Sequence, residues 1–140
     1  MSEEARSAAG RFPLPGSLVA VEPHGNGNIH RTYSAECRTD GGPRRFILQR
    51  LNRRAIPDPD ALMENFARLL GHLQSKIPDP RRRLSLLRTR DGAGLWRSSD
   101  GEVWRAFDFI EGTTTRDVIG GPGEAFETAR AFGLFLNLLR

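Results

Sequence analysis

The period of the hydrophobic pattern changes once along this chain and then changes back, which limits the folds open to it. From Leu18 to Leu51 apolar residues alternate with polar ones, the two-residue period of a half-buried strand. In the stretch IPDPDALMENFARLLGHLQSKIP, Leu62, Met63, Phe66, Leu69, Leu70 and Leu73 fall instead at i, i+1, i+4, i+7, i+8 and i+11. That spacing lays one apolar face along a helix. From Leu84 to Ile110 the strand pattern returns. Three strands, one helix and three further strands predict an α+β domain, an antiparallel sheet of five to six strands with one packed helix.

Local chemistry places the joints. LVAVEPHGNGNIHRTYSAEC reads as strand, glycine loop and strand, with Tyr33, Ala35 and Cys37 on one face and Thr32, Ser34 and Glu36 on the other. RTDGGPR is a turn, because Gly41 and Gly42 tolerate positive φ and Pro43 cannot donate to a ladder. A third strand, Arg45 to Leu51, follows. Pro59 suits the first helical position and Asp58 before it can cap. Pro78 and Pro80 close that helix. LSLLRT, GLWRS and EVWRAFDFI, joined at Asp91-Gly92 and Asp100-Gly101, predict a three-strand meander.

The two ends read differently. Residues 1–15, closed by Pro13 and Pro15, are expected to be a disordered arm. After a loop, EGTTTRDVIGGPG, a helix starts at Gly121-Pro122 with Glu124 in its first turn. Phe132, Leu134, Phe135, Leu136, Leu138 and Leu139 go round most of it, and a helix that is apolar all round needs cover on every side. Residues 113–140 are therefore expected to be a linker and the first helix of a second, truncated lobe.

Composition excludes some classes. No run approaches the roughly 18 apolar residues of a membrane helix, and MSEEARSAAG lacks a basic head on an apolar segment. The chain is read as cytoplasmic and without a membrane partner. A single cysteine, Cys37, forms no internal disulfide and supplies no metal-ligand cluster; it is expected to be a small buried hydrophobe. The net charge is +4, and among 21 basic residues only Lys76 is a lysine. Arginine suits anionic ligands through its planar fork. The cluster Arg81, Arg82, Arg83, Arg88 and Arg90 has no interleaved aromatics, so it reads first as a solvated turn and nucleic acid is disfavoured as a partner.

Three segments can carry chemistry. Gly25-Asn26-Gly27-Asn28, between the first two strands, can lay backbone N–H groups over an anion or can be an ordinary turn. FILQRLN places Gln49 and Arg50 inside an apolar strand, where unpartnered polar groups cost about 1 to 3 kcal/mol each. Glu64 lies on the helix fourteen positions after Arg50 and can reach back to it. Side chains alternate across a strand, so Gln49 and Arg50 face opposite ways. Charge favours Arg50 for pairing with Glu64 and an anion, with Gln49 as the alternative. A glycine loop, a strand with a basic residue and a helix carboxylate, in that order, are the parts of a protein-kinase-like small lobe.

Together GNGNIHRTY, FILQRLN, LMEN, WRAFDFIEG and AFGLF resemble the N-terminal lobe of aminoglycoside-phosphotransferase-like kinases, in the branch containing N-acetylhexosamine 1-kinase. The resemblance covers residues 18–140. It implies a kinase-like N-lobe over 16–112, ATP held between two lobes, Mg²⁺ held by the larger one, and a sugar or similar small hydroxyl compound as acceptor. By position it implies that Gly25, Asn26, Gly27 and Asn28 cover the phosphates and that Gln49 or Arg50 stands at the site of the phosphate-contacting lysine. Glu64 is then the helix carboxylate, Phe107 lines the back of the adenine pocket, and the main chain of Asp108, Phe109 and Ile110 is the hinge. Two departures stand out. His30 occupies a position where the family usually has Asn, and the His-x-Asp catalytic segment with its later metal-binding Asp is absent. These 140 residues are therefore not expected to catalyse phosphoryl transfer alone. The alternative is a non-catalytic basic module that binds nucleic acid or another polyanion.

Overall fold

Three long strands and three shorter ones make one antiparallel sheet in the computed structural model, which describes residues 2–140. The strands are β1 Ser17–Pro23, β2 Arg31–Thr39, β3 Gly42–Arg50, β4 Leu86–Leu87, β5 Trp96–Arg97 and β6 Val103–Asp108. The helices are α1 Glu3–Ala9, α2 Pro59–Lys76 and α3 Pro122–Leu138. Strand order is β1-β2-β3-β6-β4, with β5 also on β6. β2 and β3 meet across Asp40-Gly41, and the positive φ of this turn, 105°, falls on Gly42.

The meander does not form. β4 lies opposite Ala106 and Phe107 while β5 lies opposite Val103 and Trp104, so the two share one edge of β6 and do not pair with each other. The Asp91-Gly92 turn closes on itself instead, with the Thr89 N–H donating to the Ala93 carbonyl at 2.8 Å. Beside it the Arg90 N–H donates to the Arg11 carbonyl at 3.1 Å, which draws this loop toward the N-terminal segment. Of the two turns expected in the meander, only Asp100-Gly101 joins paired strands, β5 and β6.

Register assigns the two faces of the sheet. Opposite pairs Tyr33–Leu48, Ala35–Phe46, Leu48–Ala106 and Arg50–Trp104 put these side chains on one face. Thr32–Gln49, Ile47–Phe107 and Gln49–Arg105 form the other. The expected alternation in β2 is present, with Tyr33, Ala35 and Cys37 buried and Thr32, Ser34 and Glu36 half-buried.

Each face has its own helix, and this corrects two expectations: α1 and Phe12 pack into the core where a disordered arm was expected, and the sheet is not covered on one side only. Ser2 caps α1 by accepting the Ala5 N–H at 3.4 Å, and Glu3 and Glu4 suit the positive end of its dipole. Ala5, Ala8 and Ala9, followed by Phe12, share one helical stripe and are buried with Val21, Tyr33, Phe46, Leu48 and Trp104 in the main core. A seven-residue helix is marginal alone; burial of that stripe is what holds it. Small alanines let the helix backbone lie close to the sheet. Gly16 then turns the chain into β1 with φ 67°, and a Cβ there would lie 2.0 Å from the Arg38 carbonyl oxygen.

On the opposite face sits α2, whose Asp58 cap accepts the Ala61 N–H at 2.9 Å with Pro59 at the first position, as its sequence indicates. Phe66 meets Phe107 edge-on with ring centroids 5.7 Å apart, and Met63 is buried. α3 touches the rest through its end, where His72 and Lys76 of α2 donate to the Leu138 carbonyl at 2.7 and 2.9 Å. No residue of α3 is buried, and Phe126, Phe132, Leu134 and Leu136 are exposed.

Candidate functional site

A cleft of about 360 Å³ opens on the α2 face. Ile47 and Gln49 of β3, Arg105 and Phe107 of β6, and Phe66 of α2 form its floor and side, and the segment Asp108 to Ile110 borders it. His24, where β1 runs into the glycine loop, contributes the opposite rim and packs edge-on to Phe109 at 5.3 Å. Five of the residues singled out in the sequence are thus brought together: Gln49, Phe107, Asp108, Phe109 and Ile110.

The segment after β6 is held in place on several sides. The Asp108 N–H donates to the Ser85 carbonyl at 2.9 Å and the Phe109 N–H to the Arg45 carbonyl at 3.3 Å. Arg44 stands 3.7 Å from the Asp108 carboxylate. Arg45 lies over the Phe109 ring at 3.9 Å while its fork grips both carboxylate oxygens of Glu111. That hydrogen-bonded pairing, more than simple charge attraction, pulls the Glu111 pKa below the usual carboxylate value. The Ile110 N–H has no acceptor among the described residues, so it is the backbone donor of this segment that a ligand can use.

The polar floor is a chain of three residues. Gln49 Nε2 donates to Thr32 Oγ1 at 3.1 Å, and its Oε1 accepts from Arg105 Nε at 3.0 Å. Both ends of the amide are therefore fixed, which sets its orientation. The Arg105 guanidinium lies 5.2 Å from the Phe66 ring centroid and 5.0 Å from that of Phe107, within the range of cation–π attraction. Nη1 approaches Met63 Sδ at 3.8 Å, a weak acceptor. No carboxylate pairs with Arg105 among the described residues. Burial alone pulls its pKa below the ordinary arginine value, and the group remains a cation at neutral pH.

Arg50 and Glu64 are not brought together. Arg50 shares the α1 face with Leu48, and its Nη1 lies 3.0 and 3.1 Å from the two oxygens of Glu4, with Glu102 at 3.6 Å. Burial works against its charge, but the hydrogen bond and attraction of these carboxylates outweigh it and raise its pKa. Glu64 is exposed on the outer side of α2, with Arg68 at 4.0 Å as its ion-pair partner. The expected pairing of Arg50 with Glu64 thus fails because α1 supplies a carboxylate on the face that Arg50 occupies. Gln49, the alternative, shares the α2 face. Gly25, Asn26, Gly27 and Asn28 form an exposed loop beyond His24, with φ 72° at Gly25 and open space around its Cα.

Residues not singled out in the sequence complete the site: Arg105, Thr32, Phe66 and His24. The signal for Arg105 was its place two positions before Phe107 in a strand, hence on the same face. His30, the unusual residue after the glycine loop, accepts the Asn52 N–H on Nδ1 at 3.2 Å and ties the start of β2 to the end of β3. Burial and, after it, the charge of Arg105 lower the His30 pKa, in keeping with an imidazole that accepts.

Among the described residues no three of His, Cys, Asp or Glu come together in a way that could hold a metal ion. These residues do not fit a Mg²⁺ site. Among the described residues no helix is long and apolar enough to cross a membrane. No family model matches the chain.

Proposed function

We propose that this chain is the nucleotide-binding small lobe of an ATP-dependent phosphotransferase of the aminoglycoside-phosphotransferase-like type, acting on a sugar or related small hydroxyl compound in the manner of N-acetylhexosamine 1-kinase. One observation carries the reading. The Ile110 N–H, lacking an acceptor, lies in a restrained segment at the edge of an aromatic-lined cleft, next to an amide and a cation on adjacent strands. A planar heterocycle with one ring nitrogen acceptor suits that backbone donor and the Phe107 wall. An anionic tail suits the polar floor. The carboxylates that bind Mg²⁺ and the group that positions the acceptor hydroxyl must come from outside these 140 residues, because phosphoryl transfer needs both.

Competition titration tests this reading. A fluorescent adenine nucleotide should bind the chain saturably and be displaced by unlabelled adenosine, ADP and ATP. Phe109→Ala, which removes the ring between His24 and Arg45, should weaken the binding. A signal that adenosine fails to displace and that collapses between about 50 and 200 mM salt is the behaviour of a polyanion-binding surface, and it would overturn the proposal.

A further inference from the structure

We propose that Arg105 is the residue that grips the phosphate chain of a nucleotide seated in the cleft, with Gln49 holding its fork in position. This rests on the nucleotide-cleft reading and adds to it the group that recognises the anion. A guanidinium carries five N–H donors. Two of them are engaged, at Gln49 Oε1 and Met63 Sδ, and five less two leaves three without an acceptor among the described residues. Arg105 is half-buried and lines the cleft, which places its guanidinium beside any ligand seated there.

The surroundings fit a binding role. Arg45 and Arg50 are held by the carboxylates of Glu111 and Glu4, and Arg81, Arg88 and Arg90 donate to backbone carbonyls. Arg105 has neither a carboxylate nor a full set of neutral acceptors. Its plane is set by two aromatic rings and its Nε by an amide that Thr32 anchors in turn. Little side-chain freedom is left to lose when an anion arrives, which favours binding. Phosphate oxygens match the bidentate geometry of the fork. Arg50, the cation the sequence suggested, is on the other face and already paired.

The test compares adenosine with ADP by calorimetry on the full chain. The wild type should bind ADP more tightly than adenosine. Arg105→Gln should weaken ADP about tenfold to hundredfold, the worth of hydrogen bonds to a charged group, and leave adenosine within about twofold. Arg50→Gln should leave both affinities unchanged. Arg105→Lys keeps the charge without the fork, serves if the glutamine variant does not fold, and should retain only part of the ADP advantage. An ADP advantage left intact in both Arg105 variants overturns the assignment while the nucleotide cleft stands. Equal losses for adenosine and ADP also overturn it, by showing that Arg105 only shapes the cleft. A wild type that binds neither compound refutes the cleft reading itself, and this assignment with it.

Discussion

Replacing Phe12 by alanine separates a docked N-terminal segment from a loose arm. Phe12 is 0% exposed and among the largest fully buried side chains, packed with Ala8, Val21 and Trp104 in the main core. A phenylalanine buries about 150 to 200 Å², and alanine retains only its Cβ. At about 25 cal/mol per Å² the lost transfer term is about 3 kcal/mol. The cavity adds to it, which places the total within the range of about 3 to 5 kcal/mol seen for such truncations. With a urea dependence of about 2 kcal/mol/M, the midpoint should fall by about 2 M. Fluorescence reports it directly, because Trp104 is fully buried and Trp96 lies 5.2 Å below the Arg11 guanidinium. Phe126→Ala on α3, where the side chain is exposed, should shift stability by less than about 0.5 kcal/mol and serves as the control. If Phe12→Ala behaves like the control, α1 and its neighbours are not part of the core.

Further substitutions and conditions follow from the same structure. Glu4→Ala leaves Arg50 with Glu102 and should cost less than about 1 kcal/mol in urea unfolding. Gly16→Ala should destabilise by at least about 2 kcal/mol, because positive φ and contact with the Arg38 carbonyl oppose it together, whereas Gly71→Ala, in open space on α2, should stabilise by up to about 1 kcal/mol. His30 has a folded pKa below its ordinary value of 6.5, so between the two values the unfolded chain binds more protons. Its contribution is fully present above about pH 6.5 and is lost as pH falls through the folded value. Urea midpoints at pH 7.5 and 5.5 should therefore differ more for the wild type than for His30→Asn, which keeps an acceptor that does not titrate. Finally, the exposed apolar side chains of α3 should bind an apolar-surface dye, and the double change Phe132→Ser with Leu136→Ser should cut that fluorescence by about half or more.

The strands and long helices were legible because their signals are repeated. The stripe from Leu62 to Leu73, the Asp58-Pro59 start and the β2 alternation each combine several residues that agree. α1 was missed although it has a cap at Ser2 and buried positions at 5, 8, 9 and 12, because three of those four are alanine, which carries little hydrophobic weight. That omission propagated to the site. With one helix expected on the sheet, Glu64 on it was the carboxylate expected for Arg50; with a helix on each face, Glu4 takes Arg50, and β3 presents Gln49 to α2. The segment 107–110, expected beside a pocket from the family resemblance, lines the cleft because the end of β6 runs along it. Arg105 escaped notice because arginines are common in this chain, and only tertiary packing distinguishes one without a carboxylate from its paired neighbours.

The placement of α1 also bears on the order in which the molecule assembles. Its stripe packs with Trp104, and residues just after it hold the loop at Arg90 and the ring of Trp96. All three partners lie about eighty or more positions further along the chain. Local hairpins such as β2–β3 can close early, whereas contacts so distant in sequence close late. The contacts of the amino-terminal segment with Trp104, Arg90 and Trp96 are thus expected to be among the last to form. A growing chain can lay Phe12 against β1 to β3 but leaves its cover by Trp104 incomplete until β6 has emerged, which is the interval in which aggregation or a chaperone competes with folding.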